Sequence, residues 1–164
     1  MDTTMRNNIL TDTTHLKIQN YLDKYEMGIR VIEFNTCTKT SELAAQALGV
    51  SAAQIAKTLV FLADGEPILI VTSGDMKVDQ KKLKKLLGAK KIRFADADKV
   101  LEITGYSIGG VCPFDLPLPV QTFLDESMKR FDVLYAAAGT DKSAVPVTVE
   151  QLQIITKGEL VDVS

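Results

Sequence analysis

Residues 56–72 read AKTLVFLADGEPILIVT. Two apolar runs flank Asp64-Gly65, and an Asp-Gly pair tolerates the positive φ values of a tight hairpin turn. The stretch predicts two neighbouring antiparallel strands. Both runs are almost continuously apolar instead of alternating, so both faces of the hairpin are expected to be covered.

Working outward, Asp79 is placed to cap a helix over QKKLKKLLG that stops at Gly88, and KIRF (91–94) reads as a short strand. DADKVLEITG reads as a helix ending at Gly105. VQTFLD and FDVLYAAAG read as strands, and SAVPVT as an edge strand, because Pro146 cannot donate to a ladder. Thr148 caps a last helix, VEQLQIITKG. Upstream, a helix is expected from Thr13 or Thr14 to Gly28, with Leu16, Tyr21, Leu22 and Tyr25 among its apolar positions. IRVIEF (29–34) alternates as a strand does. SELAAQALGV is a helix closed by Gly49, and Ser51 with Gln54 has capping-box spacing for one more turn. Helices and strands mix without a strict βαβα rhythm. The expectation is a single α+β domain over residues 14–164 with a mixed, strongly curved sheet flanked by helices. The polar residues 1–13 are expected to form a flexible tail.

Length and composition narrow the function. A chain of 164 residues can bury a core without disulfides or metals. A net charge of −2 gives no global reason to expect nucleic acid or a membrane. Cys37 and Cys112 are the only cysteines, which fits a reduced, cytoplasmic setting. No apolar run approaches the ~20 residues of a membrane span. There is no repeat, low-complexity tract or long linker.

Four features carry candidate chemistry. Gly105-Tyr106-Ser107-Ile108-Gly109 matches the nucleophile-elbow pattern, but that pattern needs a strand-turn-helix context and a later histidine. The sole histidine is His15, far upstream and most simply a surface helix residue. Cys112 is followed by a proline and has no neighbouring histidine, so a buried core thiol is the simpler reading. One histidine and two distant cysteines offer no metal-ligand spacing, and no metal or cofactor is expected. Lys57 shares a strand face with Leu59 and Phe61. Either it points into the interior and needs an anionic or carbonyl partner, or it opens the strand and reaches water.

Charge is unevenly distributed. From Lys77 to Arg93 there are eight basic residues against Asp79 alone, a local +7 in a chain of net −2. With the leucines packed inward, the lysines form a solvated helix face or a phosphate-facing patch. GYSIGGVCPFDLP (105–117) places Gly, Pro, Ser or Asp at seven of thirteen positions. Gly109 and Gly110 allow close backbone approach, and Pro113 and Pro117 stiffen the chain after them. Such a loop serves either as a backbone nest for an anion or carbonyl, or as a structural crossover.

IAKTLVF, GDMKVDQKKLKKLLGAKKIRFAD and TGYSIGGVCPF, in that order, resemble the YbaK / prolyl-tRNA synthetase-associated editing domain, over about Thr14 to Gly158. The resemblance implies a mixed α/β fold with a barrel-like sheet. It also implies a free-standing, metal-free trans-editing hydrolase that cleaves the ester of a mischarged tRNA, most often tRNA for proline. It places the essential lysine at Lys57 and the G-x-x-x-P loop at Gly109–Pro113. Tyr106, Gly109, Gly110, Val111, Cys112 and Pro113 are the expected substrate-binding set. Lys81, Lys82 and Lys85 are expected to face tRNA, and a synthetase is a candidate partner; DNA is not. The branch acting on cysteinyl-tRNA carries Ser-Gly-Gly where this chain has Ala137-Ala138-Gly139, which leaves the amino acid open. The alternatives are a non-catalytic module that holds tRNA ends or a small metabolite, and an esterase built on Ser107.

Overall fold

A computed structural model describes residues 13–164. Residues 1–12 of the expected tail lie outside the described residues. The elements run α1 (Thr14–Asp23), β1 (Ile32–Glu33), α2 (Ser41–Leu48), β2 (Ile55–Ala63), β3 (Glu66–Ser73), α3 (Gln80–Leu87), β4 (Ile92–Phe94), α4 (Ala97–Thr104), β5 (Gln121–Asp125), β6 (Leu134–Ala137), β7 (Ser143–Val147), α5 (Val149–Thr156) and β8 (Glu159–Val161). Short 3-10 turns occupy Ala52–Gln54 and Glu126–Arg130.

The β2–β3 hairpin is the centre of one mixed sheet ordered β1-β7-β6-β2-β3-β5-β8, with β4 also on β2. Asp64 (φ 49°) and Gly65 (φ 85°) make its turn. Leu69, Ile70 and Val71 are completely buried, which accounts for the continuous apolar run. β2–β6, β3–β5 and β5–β8 pair in parallel and the other pairs are antiparallel. Among the described residues the sheet is not closed; it ends at β1 and β8. The helix signals hold where they rest on caps. Asp79, Asp96 and Thr148 accept backbone N–H groups at the starts of α3, α4 and α5, and Gly49, Gly88 and Gly105 close α2, α3 and α4 in the left-handed region.

Several local expectations need correction, each for a physical reason. The strand expected at 29–34 shortens to Ile32–Glu33. Gln19 of α1 takes the adjoining backbone instead, donating to the Ile29 carbonyl and accepting from the Val31 N–H. α1 itself ends at Asp23 and reaches Gly28 through turns. The Ser51 side chain caps nothing, and Gln54 donates to the Val133 carbonyl. β7 lies between β1 and β6, not at the edge. Its proline is tolerated because β1 pairs only with Ser143 and Ala144, leaving the outer side of Pro146 without a strand.

Candidate active site

β2 cannot be paired along its whole length on the side away from β3. β6 covers Ile55 and Ala56, and β4 covers Phe61 to Ala63. Between them the sheet parts. The Val60 carbonyl still accepts from the Ala95 N–H at 3.0 Å. By strand alternation the Thr58 N–H and C=O face the same gap, and among the described residues no ladder partner spans them.

A cavity of about 320 Å³ occupies this gap. Its walls are the β2 edge from Ala56 to Val60, Phe94 and Ala95, Tyr135 to Ala137, the Thr38–Ser41 segment with Ala44, and Ile108, Gly109 and Val111. Among the described residues the lining holds two lysines, Lys39 and Lys57, but no carboxylate and no imidazole. The buried hydroxyl of Thr58 has no hydrogen-bond partner among the described residues.

Lys57 takes the inward reading, with carbonyl partners. Its ammonium donates to the Met76 carbonyl at 2.5 Å and the Gly74 carbonyl at 3.4 Å. Burial holds its pKa below the usual lysine range; Glu42 and Asp75 pull it back up, and Lys77 pushes it further down. An ammonium has three donors, so two engaged carbonyls leave one for a ligand.

Of the loop residues, Gly109 and Val111 reach the cavity wall with Lys57. Gly109 has φ 102°. Gly110 packs against the Gly139–Thr140 backbone, where a Cβ would meet the Gly139 carbonyl at 2.6 Å. Its N–H closes a turn onto the Ser107 carbonyl at 3.0 Å. Tyr106, Cys112 and Pro113 are buried and do not line the cavity. The Tyr106 hydroxyl donates to the Phe114 carbonyl at 2.5 Å, which pins the loop. Cys112 is fully buried, and burial pushes its thiol up to about 12. Ser107 is exposed in a turn that follows a helix, so the nucleophile-elbow context is absent. His15 pairs with Glu33 at 3.0 Å. Lys81, Lys82 and Lys85 are exposed on α3. Lys82 reaches Asp162 at 3.4 Å and the Ser164 carbonyl at 3.0 Å.

The sequence reading missed Thr58, Phe94 and the Thr38–Ser41 segment. Thr58 has a signal, since it follows Lys57 and alternation puts its backbone on the other strand edge. The Thr38–Ser41 segment has none, because a tertiary contact brings it in: Thr38 Oγ1 donates to the Asp141 carbonyl at 3.0 Å. Among the described residues no group of three or more His, Cys, Asp or Glu could hold a metal ion, and no helix is long and apolar enough to cross a membrane.

The chain that forms this site is similar to known proteins in sequence and in structure. The sequence pattern of the aminoacyl-tRNA editing domain family matches residues 36–155, a span that takes in the whole cavity wall. YwhH of Bacillus subtilis (strain 168) is 45% identical over 136 residues, covering 82% of this chain and 86% of that one. The proline–tRNA ligase of Bacillus licheniformis is 40% identical over 105 residues, but the match spans only 18% of that ligase. A crystal structure of a proposed trans-editing enzyme for prolyl tRNA synthetase superposes with a TM-score of 0.85 at 32% identity, covering 92% of this chain and 96% of that one.

Proposed function

Since the chain belongs to the aminoacyl-tRNA editing domain family, we propose that it acts in trans as a deacylase on tRNA, tRNA for proline before others, carrying a small wrong amino acid. The observation that carries the reading is the small cavity where β2 is left unpaired, with Lys57 on one wall and Gly109 and Val111 on another. The likeness to a trans-editing enzyme over 96% of its length supports action in trans.

The chemistry follows from the lining. The oxygen of water attacks the ester carbonyl carbon, and the bond from that carbon to the ribose oxygen breaks. The ribose oxygen takes a proton, which releases the free amino acid and the 3′ hydroxyl. The oxyanion formed on the way needs hydrogen-bond donors in a low-dielectric site. The free Lys57 donor and the Thr58 N–H are the candidates. Among the described residues the wall holds no carboxylate or imidazole, so in this reading the proton passes through water or a hydroxyl of the substrate. Synthetase pockets discriminate a methylene by only ~1–3 kcal/mol, so a second, small site that hydrolyses what slips through is needed. The basic face of α3 fits the acceptor-stem phosphates. Lys81 and Lys85 carry that role more freely than Lys82, which already holds Asp162.

A wall whose described residues include no carboxylate or imidazole also fits a second reading, a module that binds the tRNA end without turnover. A deacylation panel separates the two. tRNA for proline charged with alanine, serine, threonine, cysteine or proline is incubated with the protein. Hydrolysis of at least one small ester with prolyl-tRNA spared is expected; no acceleration over buffer for any ester overturns the deacylase.

A further inference from the structure

Phe94 closes β4 directly opposite Phe61 of β2. The two rings stack with centroids 4.3 Å apart and planes inclined by 30°. Phe61 is fully buried, yet Phe94 is 54% exposed. One face of the Phe94 ring is thus fixed on the protein, while the rest of it borders the cavity. A large aromatic ring left open forgoes burial that folding would otherwise favour.

Register places this ring relative to Lys57. Directly opposed residues of paired strands point to the same face. Phe61 and Lys57 are four positions apart on one strand, so they also share a face. Lys57, Leu59 and Phe94 therefore follow one another along a single wall, and all three line the cavity. At the rise of a strand, Phe94 lies roughly 13 Å along it from Lys57, a span one aminoacylated nucleoside can bridge.

Charge around the ring favours a nucleic acid. Lys90, Lys91 and Arg93 precede Phe94, and all three are exposed. None of them belongs to an ion pair found among the described residues. Asp64 accepts from the Lys90 and Lys91 N–H groups and Asp96 from the Lys99 N–H. Among the described residues of the cavity wall, the only other large apolar side chain that is more than half exposed is Ile108, at 56%. Two such side chains make a patch suited to one base, not to a protein epitope.

We propose that Phe94 is a stacking platform for the terminal base of the tRNA, the 3′ adenine, and that Ile108 supplies the facing apolar wall. The ester then lies at Lys57 with the ribose over Leu59. This inference rests on the deacylase reading. A ring held on one side by Phe61 loses no freedom when a base settles on the other, and base–aromatic stacking needs no sequence readout.

The test is equilibrium binding, followed by anisotropy, of a fluorescein-labelled RNA oligonucleotide ending in CCA and of the same oligonucleotide with an abasic terminal nucleotide. The wild type should prefer the intact end by about fivefold or more. Phe94→Leu keeps Phe61 covered but removes the flat π face, and the preference should fall to about one. Phe94→Tyr should retain it. A wild type without the preference, or a Phe94→Leu variant that keeps it, overturns the platform. The wild-type comparison needs no variant to fold. Hydrolysis of a mischarged tRNA without a base preference sinks the platform and spares the deacylase. The converse pattern spares the platform and sinks the deacylase.

Discussion

Arg130 grips Asp75 through two hydrogen bonds, Nη1 to Oδ2 at 3.1 Å and Nη2 to Oδ1 at 2.7 Å. Asp75 stands between Gly74 and Met76, whose carbonyls hold the Lys57 ammonium. Arg130 is itself fixed by Nε on the Ser127 carbonyl at 2.8 Å. The pair is half-exposed, so its share of global stability is small. Its effect falls on where Lys57 points. We expect Arg130→Ala to lower kcat by about tenfold with little change in KM, since a small misplacement is enough for that loss. The same substitution in a Lys57→Ala background should change nothing further. An equal loss in both backgrounds means that Arg130 does not act through Lys57.

Lys57 also gives a pH signature. Burial depresses its pKa. Between that depressed value and the ordinary one near ~10.4, the unfolded chain binds more protons than the folded one. The Lys57 contribution therefore makes stability rise with pH across that window. Lys57→Met should flatten the rise, as read from denaturant midpoints at a series of alkaline pH values. In activity the alkaline limb should fall below ~10.4, and Asp75→Asn should move it lower still by removing a charge that favours the ammonium.

The two adjacent glycines of the loop should respond differently to alanine. At Gly110 the new Cβ would lie 2.6–2.7 Å from the backbone of Gly139 and Thr140, which cannot move aside. Gly110→Ala should cost about 1–3 kcal/mol of stability and shift the melting temperature. At Gly109 the closest atom, at 2.9 Å, belongs to the flexible Lys39 side chain, although φ 102° adds strain. Gly109→Ala should affect turnover at least as much as melting. The reverse order would argue against Gly109 as part of the substrate wall.

Asp125 is fully buried. Burial alone would raise its pKa, but hydrogen bonds from Ser127, the Val163 N–H and Ser164 outweigh burial and hold it low. A depressed carboxyl adds stability above the unfolded value near ~3.9, and that stability is lost as pH falls through the folded value. Asp125→Asn should destabilise the protein at neutral pH by about 1–3 kcal/mol and weaken its acid sensitivity. A variant that melts as the wild type does would show that the network contributes nothing.

The two cysteines should separate under alkylation. Cys37 is exposed and Cys112 buried, with a thiol pushed up to about 12. Iodoacetamide on the native protein should label Cys37 alone, as read by peptide mass mapping, and should leave deacylation intact. Ser107→Ala should likewise leave turnover nearly unchanged. A large loss from Ser107→Ala would restore a nucleophile in the 105–117 loop, and a large loss on alkylation would place Cys37 at the site.

The hairpin and the stops at Gly49, Gly88 and Gly105 were legible because each depends on residues adjacent in sequence, whereas the stop at Gly28 and the Ser51 cap did not hold. Asp64-Gly65, Asp79 with Gly88, and Thr148 carry their own geometry. β8 and the 3-10 turn after β5 were not legible. β8 exists through its pairing with Phe123 to Asp125, which lies over thirty residues upstream. Likewise, no local signal announces that Gln19 would capture the backbone of Ile29 and Val31. At the candidate site, Lys57 was legible as a charge in an apolar strand, and Gly109 as a special backbone position. Phe94 reads in sequence as ordinary strand core. Only its place on the last residue of β4, where the sheet parts, turns it outward.

The parting of the sheet around Thr58 has a consequence for solvent exchange. An amide in the middle of a central strand normally exchanges its hydrogen slowly, because opening it requires breaking the ladder on both sides. The Thr58 amide faces the gap and has no ladder partner among the described residues, whereas Leu59 and Phe61 are bonded to β3. In deuterated water Thr58 should exchange far faster than either neighbour. It should slow when a ligand seals the gap, so that a single backbone hydrogen reports occupancy without a label or a turnover assay.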